Sequence, residues 1–466
     1  KIQRGISVIV RLITFSLWGT DFKYLQGAIH NAELAKTIYP DWICRFYVGK
    51  SVPYSFIHKL QSMKNVQVVE RSEIGDWRGM YWRFEAASEP DVEVMISRDT
   101  DSRLSAREKA AVDEWLNSDK GFHIMRDHPW HKFPVLGGMW GVKKGVLSNM
   151  KELIKNFSQE DKYGTDYEFF AQEIIPLVKE NVLVHDEFFG GNRFPTVRRG
   201  NEFVGRVYDE NNNSIEEHDT ALRTVTASKE LFIHHHLGLG DHLDCNGMVR
   251  MFLEDSRFDK INVFAKNNYF ALIEYMYRDE PRIEIICIDK NREHEEVADY
   301  VKRYKISNLL RVGHENYPWG QEKELGMGCA EIFYKQVNID YKNRFDRFYF
   351  ERDHAEEDRV FAKLNPEGEE YIFVHDDAAR GFAIPEEKIQ ELSKNYKIIR
   401  NDMTENIFHF CKILENASQI HCMESCFRSL VETLDIKGDL FFHNFRSGAS
   451  GFLGNSTLQP WEEITW

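Results

Sequence analysis

Two rhythms of hydrophobic positions alternate along the first half of the chain. Short continuous apolar runs read as strands buried on both faces, and stretches with apolar residues every three or four positions read as helices. Strands are expected at Ile6–Phe15, Trp42–Val48, Val92–Ile96, Gly121–Met125 and Asn181–Val184. Helices are expected at Lys23–Tyr39, Ala106–Asn117 and Asp166–Glu180. In the first of these, Leu25, Ala28, Ile29, Ala32, Ala35 and Ile38 lie near one face. Such alternation predicts a mainly parallel sheet covered by helices.

The most polar stretch, Asp209–Asp219, contains Asn211, Asn212 and Asn213 in a row and reads as a linker, taken as 206–228. Beyond it the rhythm resumes. Strands are expected at Leu231–His235, Ile261–Phe264, Ile283–Cys287, Leu309–Val312, Tyr371–Val374, Lys397–Ile399, Gln419–Cys422 and Leu440–Phe442. Helices fill the gaps, among them a helical stretch near Gln321–Gln336 and one at Pro385–Ser393 with proline at its start. The expected fold class is α/β. A mainly parallel sheet domain spans 1–205, followed by two small Rossmann-like units at 229–345 and 346–466.

Composition narrows the function. Hydrophobic residues are 42% of the 466 and charged residues 29%, as in a globular protein with a core. The net charge of −15 lacks the basic footprint that nucleic-acid binding needs. Seven cysteines form no C-x-x-C pair, which argues against structural zinc and a disulfide framework and for a reducing compartment. The apolar run Ile6–Trp18 is broken by Arg11, is short for a membrane span and lacks a signal-peptide cleavage pattern. A soluble, cytoplasmic protein without a transmembrane segment is expected.

The sharpest motif is Asp99-Thr100-Asp101, directly after the strand Val92–Ile96. It would set two carboxylates at the carboxyl edge of a parallel sheet, where ligands bind in such folds. Hard oxygen donors there suit Mn2+ or Mg2+, which would bridge nucleotide phosphates. His185, at the end of a later strand, is the candidate third ligand.

With these motifs in order, roughly residues 5–200 resemble a GT-A glycosyltransferase. The resemblance makes Thr14–Gly19, with Ser16 and Trp18, the nucleotide loop. It gives Arg83 a place near the donor, and lets Gly137 and Gly138 admit the donor sugar to the backbone. The Gly164–Glu168 segment would face the acceptor. Asp166 would be the base of an inverting reaction, with Glu168 and Asp127 in reserve; in a retaining one it would orient substrate.

In the second half, a strand enters His234-His235-His236-Leu237-Gly238-Leu239-Gly240-Asp241. The third glycine of a dinucleotide fingerprint is missing. Consecutive histidines on a strand alternate faces, so the tract is not expected to hold one zinc ion. Further on come His375–Gly381 and the helix opening at Glu424-Ser425. Residues 228–446 resemble a compact GT-B glycosyltransferase of the heptosyltransferase or fucosyltransferase-like kind. This implies Asp241 as base and Gly238 and Gly240 on the acceptor side. His375, Arg380, Glu424 and Ser425 would hold the donor diphosphate with no cofactor.

The expectation is a two-module glycosyltransferase that moves sugars from nucleotide-sugar donors to a glycan, polysaccharide or glycoprotein acceptor, in a viral or bacterial setting. Its rivals are one active module joined to a glycan-binding or scaffold module, a metal-dependent phosphohydrolase or nucleotidyltransferase, and a sugar-binding protein with degenerate sites.

Overall fold

A computed structural model describes residues 10–157, 161–235, 238–315, 317–376, 382–392, 394, 396–444 and 457–465. The chain divides into two compact units, Lys1–Val225 and Thr226–Trp466.

The first unit holds β1 (Val10–Leu17), β2 (Ile43–Val48), β3 (Val66–Glu70), β4 (Val92–Ser97), β5 (Phe122–Arg126), β6 (Trp140–Lys143) and β7 (Val182–Asp186). They form one sheet in the order β3-β2-β1-β4-β6-β5-β7. All neighbours are parallel except β6, which runs antiparallel to both β4 and β5. β6 follows closely on Gly137 and Gly138. Gly141 belongs there because a Cβ would come within 2.9 Å of Ile96 and 3.0 Å of Trp115. Trp140 is fully buried and stacks on Phe122 at 5.4 Å.

The helix expected at Asp166–Glu180 is instead three pieces: Thr165–Phe169, a wide π-type turn at Phe170–Ile174, and Ile175–Val178. Pro176 explains the break, because it has no N–H for the preceding turn. The expected linker is also folded. Residues up to Val225 belong to the first unit, and Glu216–Thr226 is a helix. The asparagine run closes a tight turn in which the Asp209 carboxylate accepts from the backbone N–H of Asn211 and Asn213.

The second unit carries two wholly parallel sheets. The strands β8 (Glu230–His235), β9 (Lys260–Lys266), β10 (Ile283–Ile288) and β11 (Leu309–Val312) are ordered β10-β9-β8-β11. The strands β12 (Tyr371–His375), β13 (Lys397–Arg400), β14 (Gln419–Cys422), β15 (Asp439–Asn444) and β16 (Glu462–Thr465) are ordered β13-β12-β14-β15-β16. Both sheets feed one hydrophobic core, which joins Leu231, Val263 and Ile273 to Phe373, Phe410 and Leu430. The helix Leu239–Met251 packs closely at two glycines. A Cβ on Gly247 would stand 2.1 Å from the Asn343 carbonyl, and one on Gly240 would stand 3.5 Å from the Cys426 nitrogen. These sheets match the expected α/β class.

Candidate functional site

The Asp99-Thr100-Asp101 loop leaves the carboxyl end of β4 and is held from several sides. Arg98 turns inward, forms a buried pair with Glu108 at 2.8 Å and donates to the Ser97 and Trp140 carbonyls. Asn31 of the helix Phe22–Ile38 donates to the Ser102 carbonyl at 2.8 Å and accepts from the Leu104 N–H at 3.0 Å. Gly27 of the same helix lets the loop approach, since a Cβ would fall 1.9 Å from the Thr100 carbonyl oxygen.

Asp99 and Asp166 converge on Arg83. The Arg83 guanidinium donates to Asp99 Oδ1 at 2.5 Å and to the Arg98 carbonyl at 2.8 Å. A Cβ on Gly137 would fall 2.2 Å from Asp166 Oδ2 and 2.9 Å from an Arg83 nitrogen. A Cβ on Gly138 would fall 2.0 Å from Asp99 Oδ2. The glycine pair is therefore a cradle for these two carboxylates. Asp166 is positioned by the helix start after Gly164, whose φ is +78°, and by Tyr81, whose hydroxyl donates to the Thr165 carbonyl at 2.9 Å. Burial raises the Asp166 pKa to about 6; Arg83 works against the rise and Asp99 with it.

Asp101 pairs with Lys23 at 2.9 Å. Burial raises its pKa, and the Asp99 charge adds to the rise. The two carboxylates share a half-buried edge where Lys23 and Arg83 are their charge partners. Hard oxygen donors from Asp99 and Asp101 fit Mn2+ or Mg2+.

The structure does not bring His185 to these aspartates. Its ring is fully buried, shares a 2.8 Å hydrogen bond with His123 and lies 3.7 Å from Glu114. Among the described residues, the two aspartates form no close metal-capable group with His185 or with His218 as the side chains stand. His218, in the helix Glu216–Thr226, is the histidine on the loop's side. Burial is the first cause lowering its pKa, and the charges acting on it include Lys23 and Asp101. Its segment is tied to the loop by the Tyr208 N–H, which donates to the Asp101 carbonyl at 2.9 Å, and by Arg103, which donates to Asn212 at 2.8 Å. His218 escaped notice because the polar run around it read as a linker.

The remaining first-unit candidates divide. Ser16 is nearly buried, and its hydroxyl accepts from the Arg83 N–H at 3.2 Å, so it supports Arg83. Trp18 packs edge-on against Trp77 and Trp82. Asp127 is consumed by Arg107 and Arg198, and the net effect of its surroundings lowers its pKa despite burial. Glu168 is exposed and pairs with Lys162 at 3.4 Å. Exposed Trp77 and Tyr163 meet edge to face at 5.3 Å, and exposed Phe133 stacks on Tyr167, next to Asp166, at 3.9 Å.

In the second unit, the Asp241 carboxylate accepts from the Gly238 N–H at 2.7 Å and so caps its own helix, with Gly240 in the first turn. His375 shares a 2.9 Å bond with Asn401 and packs on Phe427. Glu424 turns toward Arg428 at 3.2 Å, and Ser425 caps the helix Cys426–Val431. Arg380 and His236 lie outside the described residues.

Two substitutions test this geometry. Gly27→Ala would gain about 1 kcal/mol from helix propensity. The clash with the Thr100 carbonyl should outweigh it, leaving a net loss of about 1–3 kcal/mol in chemical denaturation. Asp166 has a folded pKa of about 6 against an ordinary 3.8. Its protonation favours the fold fully below the ordinary value, and that contribution is lost as pH rises through about 6. Asp166→Asn should therefore gain on the wild type as pH rises from 4 to 7, by up to about 2 kcal/mol. Denaturant midpoints at several pH values check this.

No family model matches the chain, and no curated protein matches it. Among solved structures it is similar to a glycosyltransferase involved in glycosylation of the major capsid of PBCV-1. The identity is 16%, the match covers 38% of this chain and 81% of that one, and the TM-score is 0.28. It is similar to a glycosyl transferase family 9 protein from Veillonella parvula, at 10% identity over 51% of this chain and 86% of that one, with a TM-score of 0.34. It is also similar to a 4-diphosphocytidyl-2C-methyl-D-erythritol synthase from Anaerococcus prevotii, at 10% identity over 40% and 93%, with a TM-score of 0.28. These likenesses are distant, and the chemistry has to come from the side chains.

Proposed function

We propose that the chain is a two-module glycosyltransferase whose first unit cleaves a nucleotide-sugar donor with a divalent metal. One observation carries this reading: Asp99, Asp166 and Arg83 meet over the Gly137–Gly138 cradle at the carboxyl edge of the sheet. Asp99 and Asp101 would hold Mn2+ or Mg2+, and His218, which feels the Asp101 charge, would join them by turning from its contact with Trp130. Bound there, the metal would neutralise charge on the leaving diphosphate.

Arg83 holds Asp99 in place, and Asp166 would face the acceptor. Asp166, with a pKa near 6, would take the acceptor hydroxyl proton in an inverting reaction. The room that Gly137 and Gly138 leave is taken by the Asp166 and Asp99 carboxylates, so the sugar would meet those oxygens and not the glycine backbone. Trp77, Tyr163 and Phe133 offer exposed faces for a glycan acceptor beside Asp166.

The second unit would act as a transferase in sequence with the first, since tethering raises the local concentration of a shared glycan. Asp241 and the Gly238–Gly240 loop would serve the acceptor. His375, Arg380, Glu424 and Ser425 would serve the donor.

The test is product release from a panel of nucleotide sugars, with and without Mn2+. Nucleoside diphosphate release that needs Mn2+ is expected. It should fall about a hundredfold or more in Asp99→Asn and roughly tenfold in His218→Ala. Release of pyrophosphate or inorganic phosphate would contradict the reading and favour a nucleotidyltransferase or phosphohydrolase. Turnover that ignores Mn2+ would sink the metal assignment.

A further inference from the structure

The four-stranded sheet of the second unit directs a second cluster to its carboxyl edge. His234 comes from the end of β8, and Lys266 ends β9. Glu293 and His294 open the helix Glu293–Tyr304 just after β10, and His314 follows β11. All four strands thus deliver polar side chains to one place, although the residues lie far apart in sequence.

Their geometry is compact. One ligand atom from each of His234, Glu293, His294 and His314 lies within 4.8 Å of the other three. His234 Nε2 and Glu293 Oε1 are 3.0 Å apart. The His234 ring centroid is 4.2 Å from that of His314 and 5.7 Å from that of His294. A tetrahedral zinc site with bonds of about 2.0–2.1 Å separates its donors by roughly 3.4 Å. The cluster therefore needs a contraction that the exposed His294 side chain can supply.

We propose that His234, Glu293, His294 and His314 form a binding site for a transition-metal ion of the zinc type, separate from the aspartate site of the first unit. Three imidazoles and one carboxylate suit Zn2+ or another borderline first-row ion and disfavour Mg2+ and Ca2+, which take oxygen ligands. The surroundings extend the site. Lys266 holds the second Glu293 oxygen at 2.9 Å, an outer contact that fixes the carboxylate's orientation. A cavity of about 480 Å³ opens beside the cluster, lined by Lys266, Arg311, Glu315 and Trp319 as well as three of the ligands. Glu315 is paired with Arg311. Lys266 and Arg311 are balanced by Glu293 and Glu315, so a bound cation would give the cavity a net positive charge suited to a small anionic ligand.

The His234–His236 tract is not expected from its sequence to hold one ion, since neighbours on a strand face opposite ways. Among the tract's described residues, His234 joins the cluster, and its partners come from the ends of the neighbouring strands. The site also departs from the expectation that the second module takes no cofactor. It assumes nothing about transfer chemistry and stands apart from the proposed activity.

The test uses the intact chain carrying Asp99→Asn and Asp101→Asn, so that the first unit does not bind the probe. Calorimetric titration with ZnCl2 should give one ion per chain, and Co2+ should give the visible absorption of a four-coordinate ion. A His294→Ala/His314→Ala pair, at exposed and half-buried positions that should leave folding intact by circular dichroism, should weaken both signals at least tenfold. Glu293→Gln should weaken zinc binding while leaving the protein folded. Absence of stoichiometric Zn2+ or Co2+ binding would overturn the proposal. Binding that persists unchanged in the paired histidine variant would overturn it too, since the ion would then sit on other histidines.

Discussion

The Arg83 guanidinium is the constraint around which the first unit's site is arranged. It bonds Asp99 and the Arg98 carbonyl and lies against the place where Asp166 comes in. Two carboxylates brought this close in a half-buried cleft repel each other and lose solvation. Arg83 offsets part of that cost; burial nevertheless leaves Asp166 with a raised pKa. A residual cost of this kind is typical of a site that gains a charge partner from its ligand. Arg83 is in turn held by the Ser16 hydroxyl on β1, so the geometry traces back to the first strand of the sheet.

The loop carrying Asp99 and Asp101 is rigid for reasons that lie behind it. The Arg98–Glu108 pair is almost fully buried, and Tyr39 adds a hydrogen bond to Glu108 at 3.1 Å. Losing one member of such a pair costs about 3–5 kcal/mol, because the other charge is left buried alone. Gly27 and Asn31 bring the helix Phe22–Ile38 against the loop, and residues 207–219 close over it. The motif's acidic residues face the opening, while the arginine between strand and motif anchors the interior.

Much of the architecture was legible in the chain, because strands buried on both faces leave continuous apolar runs. Ala106–Asn117, Leu309–Val312 and Gln419–Cys422 have the bounds that periodicity suggested. β3, only partly buried at a sheet edge, and β6, four residues long, carry too little of that signal. β16 is mostly polar and escaped for the same reason. The site was legible where it is local. Asp99 stands out from its own motif, while Arg83, Gly137, Gly138 and Asp166 are named through the resemblance; the structure brings these residues together. His185 misled because a histidine at a strand end gives no sign of which face it occupies; here it faces inward to His123. His218 and the His234 cluster depend on contacts between distant segments, which no spacing rule encodes.

The central claim is that Asp99, Asp101 and His218 form one divalent-metal site in the first unit. Its most direct test is paramagnetic resonance of Mn2+ titrated into the protein with a nucleoside diphosphate present, with Asp101→Asn and His218→Ala variants alongside. One tightly held Mn2+ in the wild type, weakened strongly by Asp101→Asn and measurably by His218→Ala, is the result this account requires. Mn2+ binding indifferent to both substitutions, or none at all, would contradict it.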